Sequence, residues 1–144
     1  MKPHLLLIDD NKNELNTFID ALILVPHDDG FKCTYAHSVK QACEMLKLLI
    51  PDFIFVNHNM PGMNGLEFIA FVTTHPPLRN ARLCLYATNI DEQTTKLAKD
   101  LGAACIKKPG TKNELVESLS ELLAGYPEPD YSFEPMKIVE RQYI

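Results

Sequence analysis

The chain has 144 residues, 46% of them apolar and 23% charged, which suits one globular domain with a sizeable core and excludes disorder as its main state. Fourteen Lys and Arg against nineteen Asp and Glu leave a formal net charge of −5, so the balance gives no general attraction to nucleic acid. The apolar run Leu5-Leu6-Leu7-Ile8 is too short for a signal-peptide core or a membrane span, and a soluble, cytoplasmic protein is expected.

In chain order, the first apolar run, His4 to Ile8, has strand length and ends on the acidic pair Asp9-Asp10. Leu15, Phe18, Ile19 and Leu22 then recur at helical spacing. A second run, Lys32 to Ala36, precedes the capping box Ser38-x-x-Gln41 and the stripe Val39, Ala42, Cys43, Leu46. The third run, Phe53 to Val56, meets Asn57; Pro61-Gly62 reads as a turn, and Asn64-Gly65 as the cap of a helix carrying Leu66, Ile69 and Ala70. A fourth run, Leu83 to Ala87, is followed by Leu97, Ala98 and Leu101, with Gly102 placed to end that helix. The weaker fifth run, Ala103 to Ile106, leads to Lys107-Lys108-Pro109, the capping box Thr111-x-x-Glu114, the stripe Leu115, Leu119, Leu122, and Gly125 as a closing cap.

Runs that are continuously apolar rather than alternating belong to strands covered on both faces. Five of them, each followed by a helix, predict an α/β domain over residues 1–125: a doubly wound, five-stranded parallel sheet with right-handed crossovers. Residues 126–144 form a C-terminal extension and no separate domain. Its three prolines accompany Tyr126, Tyr131, Phe133 and Tyr143, more aromatic surface than a purely solvated tail needs; packing on its own domain, exchange into a dimer and a mobile tail all stay open.

Ligands of such folds collect at the carboxyl ends of the strands, which directs attention to Asp9, Asp10, Asn57, Ala87, Thr88 and Lys108. Adjacent carboxylates after a buried strand are costly without a cation, but the pair alone is a weak signal of a metal, since Asp10 or Asn11 as the cap of the first helix is the simpler reading. The four cysteines show no CxxC pairing and read as small buried side chains. His4, His27, His37 and His75 lack metal-ligand spacing, and alternation turns His58 away from Asn57.

Asp9-Asp10, the stretch from Pro51 to Gly65 and Lys108-Pro109 together resemble the receiver domain of two-component response regulators, over residues 4 to about 124. The resemblance implies a flavodoxin-like (βα)5 fold of chemotaxis-regulator type, and a phosphoryl group accepted at the end of the third strand. It implies a Mg²⁺ site on Asp9, Asp10 and the carbonyl of Asn59, with Lys108 as the lysine that neutralises the acyl phosphate. Three positions depart from the pattern. The phosphoacceptor position holds Asn57, whose carboxamide is no carboxylate nucleophile. The hydroxyl that follows the phosphate falls on Ala87, with Thr88 one residue later and on the other face. The switch aromatic falls on Cys105.

These departures predict a pseudo-receiver: a single-domain, non-enzymatic protein-interaction module of a phosphorelay pathway that acts without phosphorylation, with weak or lost Mg²⁺ binding. The partner is expected to be a histidine kinase, a phosphotransfer protein or a downstream effector, or a second copy in a homodimer, and not nucleic acid or membrane. With too few residues left for an output domain, the signal is expected to pass by contact with another chain. The alternative is a phosphoryl-accepting response regulator in which Asn57 is an engineered replacement of Asp; Ala87 and Cys105, which a single engineered change does not explain, weigh against it.

Overall fold

A computed structural model describes residues 2–124. Five strands, β1 (His4–Ile8), β2 (Lys32–Ala36), β3 (Phe53–Val56), β4 (Arg82–Ala87) and β5 (Ala104–Lys107), alternate with α1 (Asn13–Ile23), α2 (Val39–Met45), α3 (Gly65–Thr73), α4 (Glu92–Asp100) and α5 (Lys112–Leu123). One 3-10 turn, Pro76–Leu78, precedes β4. The sheet is parallel throughout in the order β2-β1-β3-β4-β5, as the alternation of strands and helices predicts.

The all-apolar strands separate two cores. Leu5, Leu7, Phe53, Phe55 and Tyr86 pack with Phe18 of α1 and with Leu115 and Leu119 of α5. On the other face Leu6, Ile8, Ile54, Val56 and Leu85 meet Phe68, Ile69 and Val72 of α3 and Ala98 of α4. Phe18 holds the first core together edge-on, with its ring centroid 5.0 Å from Phe55 and 5.7 Å from Tyr86.

The helix starts follow the capping chemistry in the sequence, with local shifts. Ser38 Oγ accepts from the Gln41 N–H, but the Gln41 side chain returns to the His37 N–H rather than to that of Ser38. Asn64 and Glu67 form a complete capping box, and Thr111 Oγ1 accepts from the Glu114 N–H. Neither Asp10 nor Asn11 is the N-cap of α1; that place falls to Lys12, and Asn11 Oδ1 accepts from the Asn13 N–H one step earlier. At the end of α4, Gly102 takes φ +85°, its N–H bonds the Lys99 carbonyl, and the Ala103 N–H bonds that of Ala98, a Schellman ending. That ending absorbs Ala103, so β5 starts one residue later than the apolar run.

Two expected core positions differ. Leu97 is 43% exposed because the short helix α4 turns Ala98 inward instead, and on α5 the fully buried member of the last turn is Leu123 rather than Leu122. Of the cysteines only Cys84 is buried outright, and all four are free thiols. Gly125 and the extension 126–144 lie outside the described residues.

Candidate functional site

The carboxyl ends of β1, β3 and β5 bring Asp9, Asp10, Asn57 and Lys108 together. Asp9 is fully buried, which a carboxylate tolerates only with partners on its oxygens. Its Oδ2 accepts from Lys108 Nζ at 2.7 Å, its Oδ1 from the Asn11 N–H at 2.9 Å, and its main-chain carbonyl from the Tyr35 hydroxyl at 2.6 Å. Glu14, in the first turn of α1, stands 3.7 Å from the same ammonium. Lys108 Nζ also lies 5.2 Å from the centre of the Tyr86 ring, whose negative face favours a cation. Burial first, and the neighbouring Glu14 and Asp9 second, push the Tyr86 phenol well above its usual range. Burial and the charges of Asp9 and Asp10 push Tyr35 in the same direction, so both phenols stay protonated.

Asn57 is almost buried at the end of β3, where its N–H bonds the Ile8 carbonyl at 2.9 Å. Its carboxamide nitrogen faces Asp10 Oδ1 at 3.4 Å and the Asn59 carbonyl at 3.3 Å. Both neighbours are pure acceptors, so the amide must present its NH₂ to them. The loop beyond is held close: the Gly65 N–H bonds the His58 carbonyl, and a Cβ on Gly65 would lie 2.4 Å from the Asn57 carbonyl oxygen. Only glycine fits there.

Of the remaining expected residues, Ala87 ends β4 fully buried and its carbonyl accepts the Lys108 N–H at 2.9 Å. Thr88 is exposed. Strand alternation puts it on the Tyr86 side of the sheet, whereas Cys105 packs with the opposite core beside Leu85. Burial raises the Cys105 thiol, offset in part by Lys99 and the Thr95 hydroxyl. The Nδ1 of His58 is buried and without a hydrogen-bond partner. Lys107 is exposed, as expected of a solvated neighbour. The sequence reading missed Glu14, Tyr35 and Tyr86, which reach the site from α1, β2 and β4; no motif spacing marks them, since the sheet register alone brings them together.

The donor set fits a divalent cation poorly. Two carboxylates and one carbonyl are present, but Lys108 already neutralises Asp9, and the Asn57 NH₂ holds the Asp10 and Asn59 oxygens that a cation would use. Among the described residues no three His, Cys, Asp or Glu side chains gather as a metal site. No described helix is long and apolar enough to cross a membrane.

The chain is thus a doubly wound α/β module with an acidic pair and a lysine at the carboxyl ends of strands one and five. The response regulator receiver domain family matches residues 5–120, and the chain belongs to it. It is thus a receiver domain of two-component signalling, a family of signalling rather than enzymatic modules. Among curated relatives, protein-glutamate methylesterase/protein-glutamine glutaminase 3 of Geobacter metallireducens is 29% identical, the alignment covering 81% of this chain and 33% of the relative. The corresponding enzyme 1 of Caulobacter vibrioides is 31% identical over 58% of this chain and 24% of the relative. The chain therefore spans about a quarter to a third of these proteins. Of solved structures, the phosphorylated cyanobacterial phytochrome response regulator RcpA superposes with a TM-score of 0.76 at 20% identity, covering 89% of this chain and 96% of that one. The chemotaxis response regulator CheY4 of Vibrio cholerae gives 0.72 at 22% identity, covering 85% and 100%. The Mn²⁺-bound form of the response regulator Rcp1 gives 0.73 at 18% identity, covering 89% and 96%.

Proposed function

We propose that this receiver domain works as a phosphorylation-independent protein-interaction module. One observation carries the reading: at the phosphoacceptor position the carboxamide of Asn57 donates toward Asp10 and Asn59 while Lys108 pairs with Asp9. The groups that would hold a metal and a phosphoryl group thus hold one another. An amide oxygen carries no charge to attack phosphorus, and its NH₂ supplies part of the positive potential that a bound cation would give. Ala87 and Cys105 support the same reading, because a phosphoryl group would meet neither a hydroxyl on the Ala87 face nor an aromatic ring at position 105.

On this proposal the domain presents one settled surface to a histidine kinase, a phosphotransfer protein or an effector, in the cytoplasm, and it catalyses nothing itself. Mg²⁺ binds weakly, since replacing one of three carboxylates removes a full negative charge from the site. Titration of Mg²⁺ followed by amide NMR shifts of residues 9, 10 and 57–59 tests this. We expect no saturation at sub-millimolar metal and no change on adding acetyl phosphate; a saturating response there contradicts the proposal.

A further inference from the structure

Among the described residues β5 pairs with β4 alone, so it forms an edge of the sheet. Because the Lys108 N–H bonds the Ala87 carbonyl, alternation along a parallel strand turns the N–H groups of Cys105 and Lys107 outward from the sheet. A row of this kind is a template for another strand. Beside it runs a groove of about 850 Å³ between β5 and α5, with Ile106 and Leu122 among its apolar lining. Its charged lining is Lys107, Lys108, Glu114, Glu117 and Glu121. Lys108 is held by Asp9, and none of the three glutamates forms an ion pair among the described residues, which leaves Lys107 against three carboxylates.

The spacing of these acids suits a strand. After the turn at Pro109-Gly110, α5 packs back along the sheet, so Glu114 stands nearest Lys107, and Glu117 and Glu121 lie toward the start of β5. At 1.5 Å of rise per helical residue, Glu117 and Glu121 are about 6 Å apart along the axis. Side chains on one face of a strand recur at nearly the same interval, about 6.6 Å.

We propose that this edge and groove receive an extended, basic segment of a partner protein, paired with β5 through its main chain and carrying Lys or Arg at two alternate positions that meet Glu117 and Glu121. The residues between them turn to the opposite face of the sheet, where α4 balances Lys96 and Lys99 with Glu92 and Asp100, and they are uncharged. The proposal deepens the interaction-module reading and rests on it for the existence of a partner. A second copy of the chain fits the edge less well, since pairing two β5 strands would crowd Lys107 and Lys108 of both copies into one short interface. An acidic segment would set like charges against the glutamates.

The probe is a capped seven-residue threonine peptide with lysine at its third and fifth positions, titrated into the full chain and followed by amide NMR. Saturable shifts are expected along residues 104–107 and 114–121, with exchange of the Cys105 and Lys107 amides at least about tenfold slower at saturation. Binding should weaken about fivefold in Glu117→Gln/Glu121→Gln, whose exposed side chains can change without disturbing the core. A peptide with its two lysines adjacent, and so on opposite faces of a strand, should lose as much. No saturation, equal binding of the peptide with glutamate in place of lysine, unchanged binding in the double variant, or shifts centred on Asp10 overturns the proposal. So does protection of both amides before any peptide is added, whether independent of concentration, as the chain's own later residues would give, or lost on dilution, as a second copy would give. Neither Mg²⁺ nor acetyl phosphate enters this experiment, so its failure leaves the reading of Asn57 untouched.

Discussion

At the residue scale the site turns on Lys108 and Asp9. Asp9 has no exposed surface, and the Lys108 side chain is 11% exposed, so their 2.7 Å pair is largely shielded from water. Removing one partner of such a pair leaves an uncompensated buried charge, which costs about 3–5 kcal/mol, whereas removing both costs far less. Lys108→Met should therefore lower unfolding stability by about that amount, and Asp9→Asn/Lys108→Met should recover a good part of it in urea melts. An unchanged midpoint for Lys108→Met would contradict the arrangement. A second titrating residue lies at the other end of β1. Burial and nearby Lys32 lower the His4 pKa below its usual 6.5, with Asp52 opposing them, while the ring nitrogen bonds Thr34 Oγ1 at 2.6 Å. The folded state thus favours neutral His4. Its contribution is present above the unfolded value and is lost as pH falls through the folded one, so stability should decline modestly below about pH 6.5. His4→Gln should flatten that decline in thermal melts taken across this range.

At the scale of elements, the loop from β3 into α3 is fixed by a close approach. The backbone of Gly65 nearly touches the Asn57 carbonyl, and Leu85 Cδ1 would lie 2.8 Å from an added Cβ. Gly65→Ala must move either the end of β3 or the start of α3, at a cost of roughly 1–3 kcal/mol, with shifted Asn57 and His58 amide resonances as its local sign. All five strands were legible in the sequence because fully covered parallel strands read as unbroken apolar runs, and their bounds differ from those runs by at most one residue. The caps were legible from side-chain chemistry, since Ser38, Asn64, Thr111 and Gly102 act through groups a sequence displays. The N-terminus of α1 was not, because Asn11 spends its Oδ1 on the Asn13 N–H and Asp10 faces the Asn57 carboxamide, which leaves Lys12 as the N-cap. Leu97 escaped because a nine-residue helix with one buried alanine carries too narrow a stripe to fix its rotation.

At the scale of the whole molecule, two cores clamp one sheet, and the pocket sits where the strand order reverses between β1 and β3. Asp9, Asp10, Asn57 and Lys108 could be placed from motif order alone; Tyr35, Glu14 and Tyr86 could not, since each enters through the register of a different element. The central claim is that this receiver takes no phosphoryl group at its usual position because Asn57 stands there, closed onto Asp10 and Asn59. Intact mass after incubation with acetyl phosphate and Mg²⁺ tests it most directly, for the chain as it stands and for Asn57→Asp. No phosphoryl addition to the unmodified chain is predicted, while addition to Asn57→Asp alone would show that Asp9, Asp10 and Lys108 still serve the chemistry once a carboxylate is restored. A phosphoryl group on the unmodified chain would contradict the account.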